Sequence, residues 1–335
     1  MSFSISTKQV VTVRQDGSEL STPWWEIASR RDGPTLLVIA AQHGNEVQGT
    51  EVIRRFAPIC AEGLVAGTVM LVPMANLLAI RHRRNSAKIG PEEKQTELHN
   101  ENNLNRHWPG DLQGNDVARI SHGLDESVVT RASHVVDLHC WSRLTASATL
   151  GCDVGESRLL AQATGMRFIS WSDMPEEITL PTQLRKYSIL RGKAAVTIEF
   201  AGQFCVDERQ VIGGVRALAN IARLLDMLEG EPEIPPNSGI AVTDDNTTVV
   251  ETPRSGLFVE APGLRLEDRV EAGQSLGHLL LDDDLSTIEL TSPVGGWLHG
   301  YGSHRPKRDV SLADQHPYCE AGESIATIVS AQEDM

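Results

Sequence analysis

The sequence predicts an α/β fold, a mostly parallel or mixed sheet flanked by helices, followed by a small all-β unit. Three observations carry that expectation. Short apolar runs alternate with helix-period segments over the first two thirds of the 335 residues. A stretch rich in proline and glycine interrupts the pattern at 229–239. Beyond it only short β-like pieces remain. A prior of about 150 residues per domain also gives two domains, which the composition shift places at 1–230 and 239–332.

Taken in order, residues 35–41 (TLLVIAA) form a continuous apolar run, as expected of a strand buried on both faces of a parallel sheet. Residues 46–60 then carry Val47, Val52, Ile53, Phe56 and Ile59 roughly at helical spacing. Further strands are expected at 68–72 (TVMLV), 134–138 (HVVDL) and 194–198 (AAVTI). A helix is expected over 211–228, with Val215, Leu218, Ile221, Ala222, Leu225 and Leu228 as its apolar stripe. Strands alternating with helices argue for the α/β class. The segment 229–239 (EGEPEIPPNSG) holds three prolines and two glycines in eleven residues, so it reads as a linker. The tail pieces VTDDNTTVVETP, GLFVEAP, LGHLLL and TIELTSP, punctuated by Gly and Pro, read as a small β domain.

Composition removes several function classes. Thirty Lys and Arg face 45 Asp and Glu, a formal charge of −15. Such a surface repels phosphate backbones and anionic lipid, so neither nucleic acid nor membrane is an expected partner. A small anionic substrate stays possible, because a local arginine cluster can reverse the field inside a cleft. No apolar run approaches the roughly 18 residues of a membrane-spanning helix, and the N-terminal residues lack an export-signal pattern. Five scattered cysteines without a C-x-x-C fit reduced thiols and a cytoplasmic location. A homo-oligomer is an open expectation.

The chemistry begins at His43 and Glu46. A lone H-x-x-E is expected about once by chance in such a chain, so position carries the information. His43 follows directly on TLLVIAA and Glu46 opens the next helical segment, the strand-to-helix turn where parallel α/β sheets build sites. In a helical turn, residues three apart share a face with Cβ atoms about 5–6 Å apart. Bonds of about 2 Å to a common zinc are then feasible. A catalytic zinc usually has three protein ligands, and His139, ending HVVDLH, is the best third candidate. Asp137 lies on the same strand face and could steady a ligand. Glu199, in VTIEFAG, faces away from Val196 and Ile198. It reads either as a general base in the same cleft or as a strand-end surface group. Asn105 and Arg106 precede a Pro-Gly turn and suit a substrate carboxylate, or else a capping amide with a solvated arginine. Arg81, Arg83 and Arg84 form the densest basic cluster: an anion clamp or a solvated loop. Tyr301 and Tyr318 are the tail tyrosines that could reach a cleft.

The tail holds a weak repeat, 266–280 (LEDRVEAGQSLGHLL) against 318–328 (YCEAGESIATI). It resembles the duplicated half-motif of the biotinyl/lipoyl-carrier barrel-sandwich. No lysine occurs between Lys193 and Lys307, however, which speaks against a carrier function.

Read together, AAQHGNEVQGTE, NLNRHWPG, VVDLHC and VTIEFAG, in this order, resemble the succinylglutamate desuccinylase/aspartoacylase family, itself related to zinc carboxypeptidases. The resemblance implies a carboxypeptidase-like fold and one Zn2+ per chain held by His43, Glu46 and His139. It also implies Glu199 as catalytic base, with Asn105 and Arg106 on the substrate carboxylate. Three departures stand out: Asn103 replaces the usual Asp of D-L-N-R, Cys140 replaces the Thr after the second histidine, and ELHNEN lacks the expected arginine. The expected function is a zinc-dependent amidohydrolase deacylating a small N-acyl amino acid or related amide. The alternatives are a zinc carboxypeptidase-type peptidase and a non-enzymatic carrier or binding protein.

Overall fold

The computed structural model describes residues 4–87, 100–173, 179–304 and 316–331. A hairpin, β1 (Ser6–Val13) and β2 (Glu19–Ala28), leads into β3 (Thr35–Ala40), α1 (Gln48–Gly63), β4 (Thr68–Val72) and α2 (Leu77–His82). Next come α3 (Asp116–Leu124), β5 (His134–Trp141), β6 (Ala148–Cys152), α4 (Gly155–Ala163) and β7 (Phe168–Ser172). Then follow α5 (Leu184–Leu190), β8 (Ala194–Ala201), α6 (Glu208–Leu224) and the short β9 (Ile240–Ala241). These strands make one nine-stranded sheet ordered β1-β2-β4-β3-β5-β8-β6-β7-β9. Its centre, β4-β3-β5-β8, is parallel, while β6 runs antiparallel to β8 and the N-terminal hairpin is antiparallel.

Alternation along the central strands explains the layers. Leu36, Val38, Val136 and Val196 point to one face and pack with Val52 and Phe56 of α1, Leu160 of α4 and Leu218 of α6. Leu37, Ile39, Val135 and Ala195 point to the other and pack with Ile120 of α3, Leu184 of α5 and Trp108. Burial on both faces is why these strands read as unbroken apolar runs.

The boundaries differ from the sequence expectation for local reasons. The first helix starts at Gln48, not Glu46, with Val47 as its N-cap. Glu46 is left in the turn, where its amide donates to the His43 carbonyl. The last long helix begins at Glu208 because the Asp207 side chain accepts from the amides of Arg209 and Gln210. It ends before Asp226, whose φ of +53° breaks the helix. The hairpin β1–β2 was not expected; the signal was its alternation, which buries Leu20, Thr22 and Trp24.

After β9 the chain builds two four-stranded antiparallel sheets. They comprise β10 (Thr247–Glu251), β11 (Gly256–Glu260), β12 (Arg269–Val270), β13 (Ser275–Leu281), β14 (Thr287–Thr291), β15 (Gly296–His304), β16 (Tyr318–Cys319) and β17 (Ser324–Val329). The orders are β10-β17-β15-β12 and β14-β13-β11-β16. One core holding Phe258, Leu279, Leu298 and Ile325 draws on both sheets. The repeat detected in sequence is structural: Gly273 and Gly322 both have φ of +83° in the turns leading into β13 and β17. Only glycine adopts that conformation without strain. The two tail tyrosines are engaged within this unit: the Tyr301 hydroxyl donates to the Leu276 carbonyl and that of Tyr318 to Asp282. The unit docks on the large sheet through the Ala146 amide to the His299 carbonyl, and through the Arg167 guanidinium 3.9 Å from the Trp297 ring centroid. No helix among the described residues is long and apolar enough to cross a membrane, and no disulfide joins the five cysteines.

Candidate active site

Three chain segments converge at the carboxyl edge of β3, β5 and β8. The turn after β3 carries Ala41 at φ +54°, then Gln42, His43, Gly44, Asn45 and Glu46. It is clamped from α2: the Asn76 amide donates to the Ala41 carbonyl, and Asn76 Nδ2 donates to the Gln42 carbonyl. A Cβ on Gly44 would sit 2.1 Å from the Ala79 carbonyl carbon, so only glycine lets this turn lie against the helix. Gly44→Ala should therefore push the turn off α2, cost about 1–3 kcal/mol by overpacking, and lower bound metal. Thermal unfolding and metal analysis of the purified variant check both.

His43, Glu46 and His139 each offer a ligand atom, all within 4.8 Å of one another. The Glu46 carboxylate stands between the rings, Oε1 2.9 Å from His43 Nδ1 and Oε2 2.8 Å from His139 Nδ1. The opposite ring atoms are held from behind. His43 Nε2 donates to Asn103 Oδ1 at 3.0 Å and His139 Nε2 to Asp137 Oδ2 at 2.9 Å. Those bonds fix the ring orientation and turn both Nδ1 atoms toward the centre. Asn103, a departure from the family pattern, thus supplies the acceptor behind the first histidine. Asp137 is fully buried and its oxygens also accept from Gln42 Nε2 at 2.8 Å, while Trp108 Nε1 donates to Gln42 Oε1.

The electrostatics ask for a cation. Burial raises the Glu46 carboxyl, but the charges and hydrogen bonds of His43 and His139 outweigh it and hold it far below the ordinary carboxylate range. Burial would lower His139, yet Asp137 and Glu46 hold its ring well above the usual value. Among the described residues no lysine or arginine pairs with Glu46, Asp137 or Glu199. Buried carboxylates are normally paired or coordinate metal. Two imidazole nitrogens and one carboxylate with an open side fit a catalytic metal site.

Glu199 lies opposite His139 in the parallel β5–β8 pairing. Burial pushes its carboxyl up to about 8, with Glu46 and Asp137 adding to the shift and His139 opposing it. Asn105 Nδ2 lies 3.2 Å from His139 Nε2, and Asn105 Oδ1 accepts from the Leu184 amide, which sets the plane of the side-chain amide. Arg106 is half-buried, which lowers its pKa, and its one hydrogen bond among the described residues runs from Nη1 to the Asn105 carbonyl. Of the basic cluster, Arg81 and Arg83 are exposed. Arg84 is half-buried beside Asn85, whose carbonyl accepts from the Gly44 amide.

Sequence reasoning passed over Arg185, in the first turn of α5. Its buried guanidinium donates to Cys152 Sγ at 3.0 Å and Ser172 Oγ at 3.2 Å. In register, Ala148 faces Glu199 and Leu150 faces Thr197, so Cys152 shares the sheet face that carries Glu199 and His139. The available signal was an arginine one helix ahead of the Glu199 strand.

A mixed α/β sheet presenting a His-Glu-His cluster at its carboxyl edge, backed by hydrogen-bonded acceptors, is a candidate site of the metal-dependent hydrolase class. The model of the succinylglutamate desuccinylase/aspartoacylase catalytic domain matches residues 32–225, and the chain belongs to that family. Its relatives include the N-alpha-acetyl-L-2,4-diaminobutyric acid deacetylase of Halomonas elongata, 25% identical over 321 residues, 92% of this chain and 86% of that protein. Among solved structures, a succinylglutamate desuccinylase/aspartoacylase from Rhodobacter sphaeroides superposes with a TM-score of 0.67 at 20% identity, covering 98% of this chain and 95% of the other. The product-bound ectoine utilization protein EutE (DoeB) from Ruegeria pomeroyi gives 0.68 at 18% identity, covering 98% and 95%. These likenesses extend across the β unit as well as the large sheet.

Proposed function

We propose that the protein is a zinc-dependent amidohydrolase that removes the acyl group from a small N-acyl amino acid. The observation that carries this reading is the convergence of His43, Glu46 and His139 within 4.8 Å, with Glu199 one strand away at the level of His139. His43, Glu46 and His139 would hold the zinc, which would supply Lewis acidity for a carbonyl and a water. Glu199 takes the proton of the attacking water and hands it to the departing amine nitrogen. Arg106, with the Asn105 side-chain amide, holds the substrate carboxylate and so aligns the scissile carbonyl. Arg185 is a second cation on the same sheet face, positioned for a further acidic group.

Assignment of 1–230 to catalysis and 239–332 to a β unit lacking a carrier lysine belongs to the same reading, as does a cytoplasmic location. The deacetylase of Halomonas elongata puts N-α-acetylated amino acids first among substrates to try. Metal analysis should find one zinc per chain. Assays with N-acetyl, N-succinyl and N-formyl amino acids beside short peptides should show amine release from an N-acyl amino acid. Cleavage of peptides alone would transfer the protein to the peptidase reading.

A further inference from the structure

Where the large sheet meets the β unit lies a cavity of about 420 Å³. Its walls bring together Arg143, Arg167, Arg209 and Arg216, in a chain whose net charge is −15. Glu267 and Asp268 of the β unit face them. Two of these guanidinium groups, those of Arg167 and Arg216, are poorly satisfied. Arg167 donates to the Asn237 carbonyl and lies over the Trp297 ring, but its buried Nε has no partner. Arg216 makes no hydrogen bond or ion pair among the described residues, and its Nε is also buried and unmatched. Arg209 reaches Asp207 only at 4.0 Å. No ion pair forms between Arg167 and Glu267 or Asp268 within 4.0 Å among the described residues. Glu267 and Asp268 act on Arg167 by charge at longer range, without a carboxylate closed on its fork. Glu267 also holds φ of +71°, a left-handed conformation costly for this residue and common at ligand sites. The Arg167 and Arg216 guanidinium groups both line the cavity, and such planar forks suit carboxylate and phosphate.

We propose that this interdomain cavity binds a small anion with two or more negative charges, a dicarboxylate or a phosphate, through Arg167 and Arg216. The site is separate from the cleft around His43 and does not depend on how that cleft is read. It is connected to it, however. The loop after β8 that lines the cavity carries Gln203, whose Nε2 donates to the Cys140 carbonyl at 2.8 Å and to Glu46 Oε1 at 3.3 Å. Occupancy can thus alter the metal site, which gives the cavity a regulatory use.

Calorimetric titration of the full, zinc-loaded chain with inorganic phosphate, succinate and acetate tests the proposal. Phosphate or succinate should bind with Kd of about 1 mM or tighter, and acetate more weakly. The anion that binds identifies the source. Arg216→Gln and Arg167→Gln should each weaken binding about tenfold or more, while Arg106→Gln leaves it intact. Arg216→Lys keeps the charge without the planar fork and should lose less, which covers the case in which the glutamine variant folds poorly. Absence of binding by both polyanions overturns the proposal. So does unchanged affinity in Arg216→Gln and Arg167→Gln, or loss in Arg106→Gln alone, which would move the anion to the catalytic cleft.

Discussion

Glu199→Gln should retain one metal per chain and lose about 10²–10⁴-fold in kcat, with little change in KM. The carboxylate is no ligand in the His43–Glu46–His139 cluster, so metal content should survive. The amide matches the carboxylate in size and cannot take or return a proton, so the loss falls on the chemical step. The pH profile carries the same assignment with a definite sign. Burial pushes the Glu199 carboxyl up to about 8 in the metal-free protein. A base works ionised, so activity falls as pH drops through its pKa. A dication beside His139 favours the carboxylate and lowers that pKa. The acid limb of kcat/KM in the zinc-loaded enzyme should therefore lie below 8 and vanish from the residual rate of Glu199→Gln. Near-wild-type turnover in that variant would remove Glu199 from the mechanism.

The parts of this site that sequence made legible are those fixed by one strand and its end. His43 and His139 follow apolar runs, and a run buried on both faces locates the sheet edge without any tertiary knowledge. Glu199 was readable by the same alternation rule. What escaped depends on contacts between distant segments. Asn103 looked like a departure from a motif, and only the folded chain puts its Oδ1 against His43 Nε2. The chain of bonds from Trp108 through Gln42 and Asp137 to His139 joins residues with no common spacing. The side chain of Gln48 donates to the Ala201 and Gly202 carbonyls and ties the first helix to the strand of Glu199, a contact no local spacing announces. In the β unit the repeat was visible because its two glycine turns are local, while the packing of that unit on Leu144 and Ala146 was not.

Glu46→Gln should be more damaging than any change around the ligands, because Glu46 is the one anion among the three. Its two oxygens reach His43 and His139, and Oε2 also accepts from the Cys140 amide. A neutral amide keeps the volume but places a donor N–H toward one of the two rings. It also removes the negative charge that offsets a dication in a largely buried site. Loss of a hydrogen-bonded supporting residue typically costs 10–100-fold in metal affinity, so loss of a direct ligand should exceed that. Zinc should then dialyse away from Glu46→Gln and remain on Glu199→Gln, with hydrolysis lost in the first and reduced to its residual rate in the second. Thermal unfolding separates them further. Binding to the folded state alone adds about 4 kcal/mol at a thousand times Kd, so excess zinc should raise the Tm of wild type and of Glu199→Gln and leave Glu46→Gln nearly unmoved. Zinc uptake should also release protons from wild type, since His139 is held in its charged form by Asp137 and Glu46 until the metal displaces that proton. A Glu46→Gln protein that binds zinc as wild type does, with the same Tm response, would place the metal elsewhere and break the link between this cluster and amide hydrolysis.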